Sequence, residues 1–202
     1  KELLRLISFY YKKNIFDFIF SGGKTFIPFF KNFKKKKFKK ICFYLSDERL
    51  SLTNIYLSNK YNIDQALKKN NMNFRIQSFN KSTINSKNKI KLFDRNLSLK
   101  KIAFLGIGAD GHVASLFDES KILYKGKNIK LIKNKKEIFQ RITLNEKYIR
   151  KINKIIFVIT QKNKLYLINR LKNKLQYKQL NIFEKIIKNH LLTNKIDIYC
   201  VK

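Results

Sequence analysis

At 202 residues the chain is long enough to bury a substantial core and short enough to form one domain. Its 44% hydrophobic content, rich in Phe, Ile and Tyr, excludes disorder along the whole chain, and no apolar run approaches the roughly 18–20 residues that span a bilayer. Lys and Arg number 46 against 13 acids, a formal charge of +33, which would ordinarily point to a nucleic-acid partner. Only seven of those cations are Arg, the side chain whose fork reads phosphate and guanine. Lys, Asn, Ile, Phe and Tyr are inflated together while Ala, Gly and Pro are scarce, as an AT-rich coding sequence would produce. The charge is read as compositional drift, with no specific nucleic acid and no membrane expected as partner.

Residues 1–13 read as the end of a helix. The opening "KELLRLISFYYKKN" is too charged for a signal-peptide core. The start at Lys1 rather than Met leaves room for a missing N-terminal piece of a single domain over 1–202. "NIFDFIF" (14–20) is a strand running into "SGGKTF", and 25–34 resumes a helical pattern. "KKKKFKK" (34–40) is a solvated basic turn, and "ICFYLS" (41–46) a strand whose end carries "DER". Residues 58–70 look helical, "FRIQSF" (74–79) is a short strand, and 80–99 is polar and poorly patterned. "KIAFLGIG" (101–108) is the clearest strand. The run "KIIFVIT" from Lys154, helices over 162–174 and 181–191, and the strand "IDIYCV" (196–201) complete the order. Cys42 and Cys200 sit in apolar runs and are expected as two buried thiols in separate strands, which favours a reducing compartment, the cytoplasm.

Continuous apolar strands alternating with helices predict an α/β fold: a doubly wound, mostly parallel, Rossmann-like sheet with helices on both faces. In such sheets ligands bind beyond the carboxyl ends of the strands. Three polar clusters fall there: Ser21-Gly22-Gly23, Asp47-Glu48-Arg49, and Gly108-Ala109-Asp110-Gly111-His112. The last takes a large share of a small supply, since the chain has six glycines and two histidines.

Each cluster has a plain reading beside a chemical one. Gly22-Gly23 before a helix start exposes backbone N–H groups and makes a phosphate seat, or is an ordinary tight turn. Arg49 clamps phosphate, or pairs with Glu48 on the surface. Asp110-Gly111 is a turn and His112 a residue at a helix start, or the glycines present an imidazole to substrate. His190, in "IIKNHLL", has no partner pattern and is read as a helix-end residue.

Together these segments resemble the 6-phosphogluconolactonase family, within the glucosamine/galactosamine-6-phosphate isomerase-like superfamily. The resemblance rests on "SGGKT" (21–25), "LSDER" (45–49) with "SN" (58–59), and "LGIGADGHVASLF" (105–117). It continues through "RITL" (141–144) and "KIIFVITQKNKLYLINRL" (154–171). Four residues depart from the family pattern: Phe26, Leu52 and Gln140 replace prolines, and Gln161 replaces a glycine. These losses fall on turn geometry rather than on charged or nucleophilic groups.

The resemblance implies hydrolysis of 6-phospho-D-glucono-1,5-lactone, the second step of the oxidative pentose phosphate pathway. No metal-ligand set stands in the sequence, no cofactor is required, and a monomer is expected. The resemblance also implies His112 as general base, with backbone N–H groups of the surrounding glycines, Gly108 and Gly111, free to face the developing oxyanion. Asp47 and Asp110 are both candidates to orient His112 or to hold sugar hydroxyls. Arg49, Lys164 and Arg141 would bind substrate, with Ser21, Gly22, Gly23 and Lys24 near the 6-phosphate. A glucosamine-6-phosphate deaminase/isomerase is the nearest rival, but there the residues after Gly-His run Ile-Ala-Phe-Asn-Glu-Pro, not Val-Ala-Ser-Leu-Phe as at 113–117. The rival from another class is a basic nucleic-acid-binding protein that has lost catalysis.

Overall fold

Successive residues of a strand face opposite ways, and here both faces of the central strands are apolar, so each strand feeds two cores. The computed structural model describes residues 2–33, 38, 40–51, 53–68, 75–79, 101–135, 137–172, 180–188 and 195–200. The polar 80–99 stretch, most of the 34–40 basic turn, Leu52 and His190 lie outside the described residues.

In chain order, α1 (Glu2–Lys12) leads to β1 (Asp17–Phe20), α2 (Ile27–Asn32), β2 (Cys42–Leu45) and β3 (Asp47–Leu50). A 3-10 turn (Ile55–Leu57), α3 (Asn59–Lys68), β4 (Arg75–Gln77) and β5 (Ile102–Gly106) follow. Next come β6 (Lys121–Lys125), β7 (Ile129–Lys133), β8 (Gln140–Leu144), α4 (Glu146–Ile149) and β9 (Lys154–Ile159). A second 3-10 turn (Lys162–Lys164), α5 (Tyr166–Lys172), α6 (Ile182–Lys188) and β10 (Ile196–Cys200) close the described chain.

Six strands form one parallel sheet in the order β10-β9-β5-β1-β2-β4. Phe18 and Phe20 of β1, Phe104 of β5 and Ile156 of β9 bury against α1, α2 and α3. Ile19, Leu105 and Phe157, on the opposite face, pack with Tyr148, Leu167 and Phe183 of α4, α5 and α6. This is the doubly wound arrangement expected. Phe20 is the hub of the first core: the rings of Phe26, Phe29, Phe30, Phe43 and Phe104 all lie 4.9–5.5 Å from it. Burying each such ring contributes about 1.5–3 kcal/mol. Phe26 is fully buried in this cluster, and Pro28 occupies the first turn of α2.

A second sheet, antiparallel and ordered β3-β8-β7-β6, was not expected. Its apolar residues, Ile129, Leu131, Ile142 and Leu144, join the second core. Lysines at both ends of β6, and Lys130 and Lys133 within the "IKLIK" run of β7, dilute the alternation in the sequence. Asp47-Glu48-Arg49 is thus not a loop at the end of β2 but a strand of its own. Ser46 makes the transfer. Its N–H donates to Phe20 O in the first sheet, and its carbonyl accepts from Leu144 N–H in the second.

Both cysteines are free, but only Cys42 is buried. Cys200 is exposed because it ends β10, the edge strand of the parallel sheet, correcting the expectation of two buried thiols. No described helix is long and apolar enough to cross a membrane.

Candidate functional site

The carboxyl ends of β1, β5 and β9 open beside β3 and β8 into a cleft of about 360 Å³. This is where a parallel α/β sheet offers its backbone ends to a ligand. Ser21, Gly23 and Lys24 follow β1, Asp47 and Arg49 come from β3, and Arg141 from β8. Gly108, His112 and Lys164 supply another part of the wall. Gly22, Asp110 and Gly111 do not line the cleft. Gly22 backs onto Asn59, Asp110 faces His112, and Gly111 turns toward Asn181 with its carbonyl accepting from Phe183 N–H.

The loop that carries His112 is closed on itself. Gly108 N–H donates to His112 O at 2.9 Å and Gly111 N–H to Gly108 O at 3.1 Å. A Cβ at Gly108 would collide with the His112 ring. Lys164 Nζ donates to Ile107 O at 2.7 Å and Tyr166 OH to Ala109 O, pinning the loop from the β9 side. Just beyond, Ala114 holds a left-handed φ of +54°, a strained conformation for a residue with a Cβ, at the cleft wall. Gly106 N–H donates to Ser21 Oγ at 3.1 Å. The amides of Gly106, Gly108 and Gly111 are therefore spent within the protein, which corrects the expectation that they are free to face an oxyanion. The N–H groups of Gly22, Gly23 and Lys24 have no partner among the described residues, and Gly23 and Lys24 line the cleft. They belong to a turn, since α2 starts only at Ile27.

His112 is 30% exposed at its side chain, and Asp110 Oδ1 lies 2.6 Å from its Nδ1. A carboxylate can only accept, so Nδ1 carries the hydrogen, and in the neutral imidazole Nε2 keeps the lone pair. Burial pushes the Asp110 carboxyl up, but the facing imidazole and the His112 N–H outweigh it and hold the group below the usual carboxylate range.

Asp47 makes different contacts. Its Oδ1 accepts from Ser46 OH at 2.8 Å and its Oδ2 from Ser115 OH at 2.6 Å. Ser115 Oγ in turn accepts from Arg141 Nη1 at 3.1 Å. Arg141 is 7% exposed, and Glu137 takes its Nε at 2.6 Å and its Nη2 as well. Rings of Phe117 and Phe139 lie 5.3 and 5.4 Å from the guanidinium carbon. Arg49 stands directly across from Arg141 in the β3–β8 register. The Arg49 side chain does not pair with Glu48, whose carboxylate instead accepts the N–H groups of Arg49, Asn59 and Lys60 and the Ser58 hydroxyl. Arg49 Nε is buried with no hydrogen-bond partner among the described residues, although Nη1 reaches Leu57 O at 3.5 Å. Burial lowers the Lys164 ammonium below the ordinary lysine value, against the pull of Asp110.

Sequence reasoning missed Ser115, Glu137 and Asn59. Ser115 and Asn59 sit inside quoted motifs, but nothing in their residue type marked them. Among the described residues no group of three or more His, Cys, Asp or Glu is gathered that could hold a metal ion.

The family described as glucosamine-6-phosphate isomerases/6-phosphogluconolactonase matches residues 3–182 of the chain. A 6-phosphogluconolactonase of Thermotoga maritima is 31% identical over 119 residues, which is 50% of this chain and 49% of that protein. The match thus spans about half the length of this curated relative. The crystal structure of a Thermotoga maritima 6-phosphogluconolactonase superposes with a TM-score of 0.74 at 22% identity, covering 99% of this chain and 92% of that one. For the Trypanosoma brucei enzyme the TM-score is 0.73 at 15% identity, with 98% and 89% covered. For that of Shewanella baltica it is 0.71 at 19% identity, with 94% and 84% covered. At these identities the likeness is one of fold.

Proposed function

The chain belongs to the glucosamine-6-phosphate isomerase/6-phosphogluconolactonase family, and from that premise we propose that it hydrolyses 6-phospho-D-glucono-1,5-lactone to 6-phospho-D-gluconate. The observation that carries the reading is His112, held by Asp110 at the wall of a cleft that also holds Arg49 and Lys164.

In this mechanism Nε2 of His112 takes a proton from water as the water oxygen bonds to the lactone carbonyl carbon. The imidazolium then returns that proton to the ring oxygen as the bond from carbonyl carbon to ring oxygen breaks, opening the ring to the acid. Such general base catalysis is worth roughly 10²–10⁴-fold. Negative charge developing on the carbonyl oxygen is met by the field of Arg141 and Lys24 in place of glycine amides. The 6-phosphate binds Arg49 and Lys164 with the unpartnered amides of Gly23 and Lys24.

Ser115 favours the lactonase over the deaminase reading. The deaminase pattern places Phe at this position, which could neither donate to Asp47 nor accept from Arg141. The free thiols suit action in the cytoplasm. The test is the purified protein on freshly generated lactone, following acid release against the spontaneous rate. Acceleration supports the reading. No acceleration, with release of ammonia from glucosamine 6-phosphate, would replace it by the deaminase.

A further inference from the structure

Asn59 opens α3 and is 2% exposed, yet it lines the cleft. Its backbone N–H donates to Glu48 Oε1 at 2.6 Å, and its Nδ2 donates to Asp47 O at 2.9 Å. The second bond fixes which way the amide lies, because only the NH₂ side can meet a carbonyl. The side chain rests against Gly22, where any Cβ would collide with it. Oδ1 is left buried and without a hydrogen-bond partner among the described residues. An unpaired buried acceptor is costly, and Asn59 belongs to the cleft lining, so a ligand can supply the donor that Oδ1 lacks.

We propose that Asn59 reads a ring hydroxyl of the sugar by accepting its hydrogen on Oδ1. The inference rests on the lactonase reading above, and the chemistry of that substrate selects the group. A phosphate dianion and a lactone carbonyl only accept hydrogen bonds, so neither can satisfy a carbonyl oxygen. The hydroxyls on the second, third and fourth carbons are the donors the molecule has. Asn59 thereby distinguishes a polyhydroxylated sugar phosphate from a phosphorylated ester of similar size, while Arg49 and Lys164 attend to the phosphate. A site built to pair with a hydroxyl rejects the analogue that lacks it, because the protein group is then left unmatched.

The experiment compares wild type and Asn59→Ala on 6-phosphogluconolactone and on its 2-, 3- and 4-deoxy analogues. Wild-type turnover of the parent lactone settles first whether the functional reading stands; without it, this inference falls too. Given turnover, one deoxy analogue is expected to lose about 10–100-fold in kcat/KM with wild type. Asn59→Ala should treat that analogue and the parent alike. Equal kcat/KM for all four lactones with wild type overturns the proposal with no variant needed. So does a preference that Asn59→Ala leaves unchanged, which would make Asn59 a clamp for Gly22 and β3 only. Each ratio comes from one protein preparation, so partial loss of folded variant cancels. Asn59→Ser serves if the alanine variant does not fold.

Discussion

Asp110 Oδ1 and His112 Nδ1 lie 2.6 Å apart across a two-residue turn, and the same oxygen also accepts the His112 backbone N–H at 3.2 Å. The carboxylate thus fixes both where the imidazole points and which nitrogen keeps its lone pair. His112→Asn is expected to lower turnover by at least ~10²-fold with the fold intact. Asp110→Asn should lose at least ~10-fold in kcat with KM little changed, because an amide NH₂ facing Nδ1 favours the wrong tautomer. Near-normal kcat in either variant would remove the pair from the mechanism. Since Asp110 is held below the usual carboxylate range, its pairing should persist as pH falls to ordinary carboxylate values and fail only below them. An Asp110 carbon resonance followed through an acid titration checks that order.

Arg49 is expected to raise KM for the phosphorylated lactone alone when replaced by Ala. Its buried, unpartnered Nε and its place in the cleft suit a phosphate contact rather than the reacting carbonyl. Plain gluconolactone should be hydrolysed by Arg49→Ala at the wild-type rate. An equal loss on both lactones would make the residue structural.

Lys164 should make product binding sensitive to alkali. Burial lowers its pKa from the ordinary 10.5, so the cation is lost as pH rises through a value below that one. Affinity for 6-phosphogluconate, measured by calorimetry, is expected to fall on that alkaline limb. Lys164→Arg keeps its charge and should abolish the limb. A limb retained in the Arg variant assigns it elsewhere.

The net charge of +33 is expected to carry no specific nucleic-acid binding. Exposed lysines are spread over α1, α2, α3, β6 and β7, and the exposed Phe9, Tyr56 and Tyr166 stand on separate elements. A groove for single strands needs cations and stacking rings together. Excess DNA or RNA at physiological salt should leave lactone turnover unchanged. Submicromolar, sequence-selective binding there would overturn this reading of the charge.

Phe20→Ala is expected to destabilise by about 3–5 kcal/mol, since it would open a cavity bordered by five rings. Chemical denaturation would show it as a lower midpoint at unchanged slope. A loss under about 1 kcal/mol would mean that the ring cluster collapses to fill the space.

The parallel sheet was legible because its strands are apolar on both faces, as in the run "KIAFLGIG" ending at Gly108. The second sheet was not, because lysines interrupt β6 and β7 and the charged run "DERL" does not look like a strand. The residues now gathered at the cleft were found through their positions past strand ends. Their division of labour was not legible. Asp110 sits two residues from His112 in sequence and Asp47 lies 65 residues before it, yet only backbone geometry decides which of two carboxylates meets the ring. Asn59 and Ser115 stayed hidden because their value lies in hydrogen bonds to distant partners, Asp47 above all. Glu137 hid within a lysine-rich hairpin.

Ser46 bears on the timing of ligand capture. It is the one residue between β2 and β3, and it is hydrogen-bonded to Phe20 in one sheet and to Leu144 in the other. Swinging one sheet against the other would break both bonds and shear Asp47 from Ser115. The wall carrying Arg49 and Arg141 is thereby tied to the sheet whose β5 leads into the His112 loop. Stopped-flow mixing with 6-phosphogluconate should give a single phase whose rate rises linearly with concentration, the signature of a rigid receptor that meets its ligand ready-made.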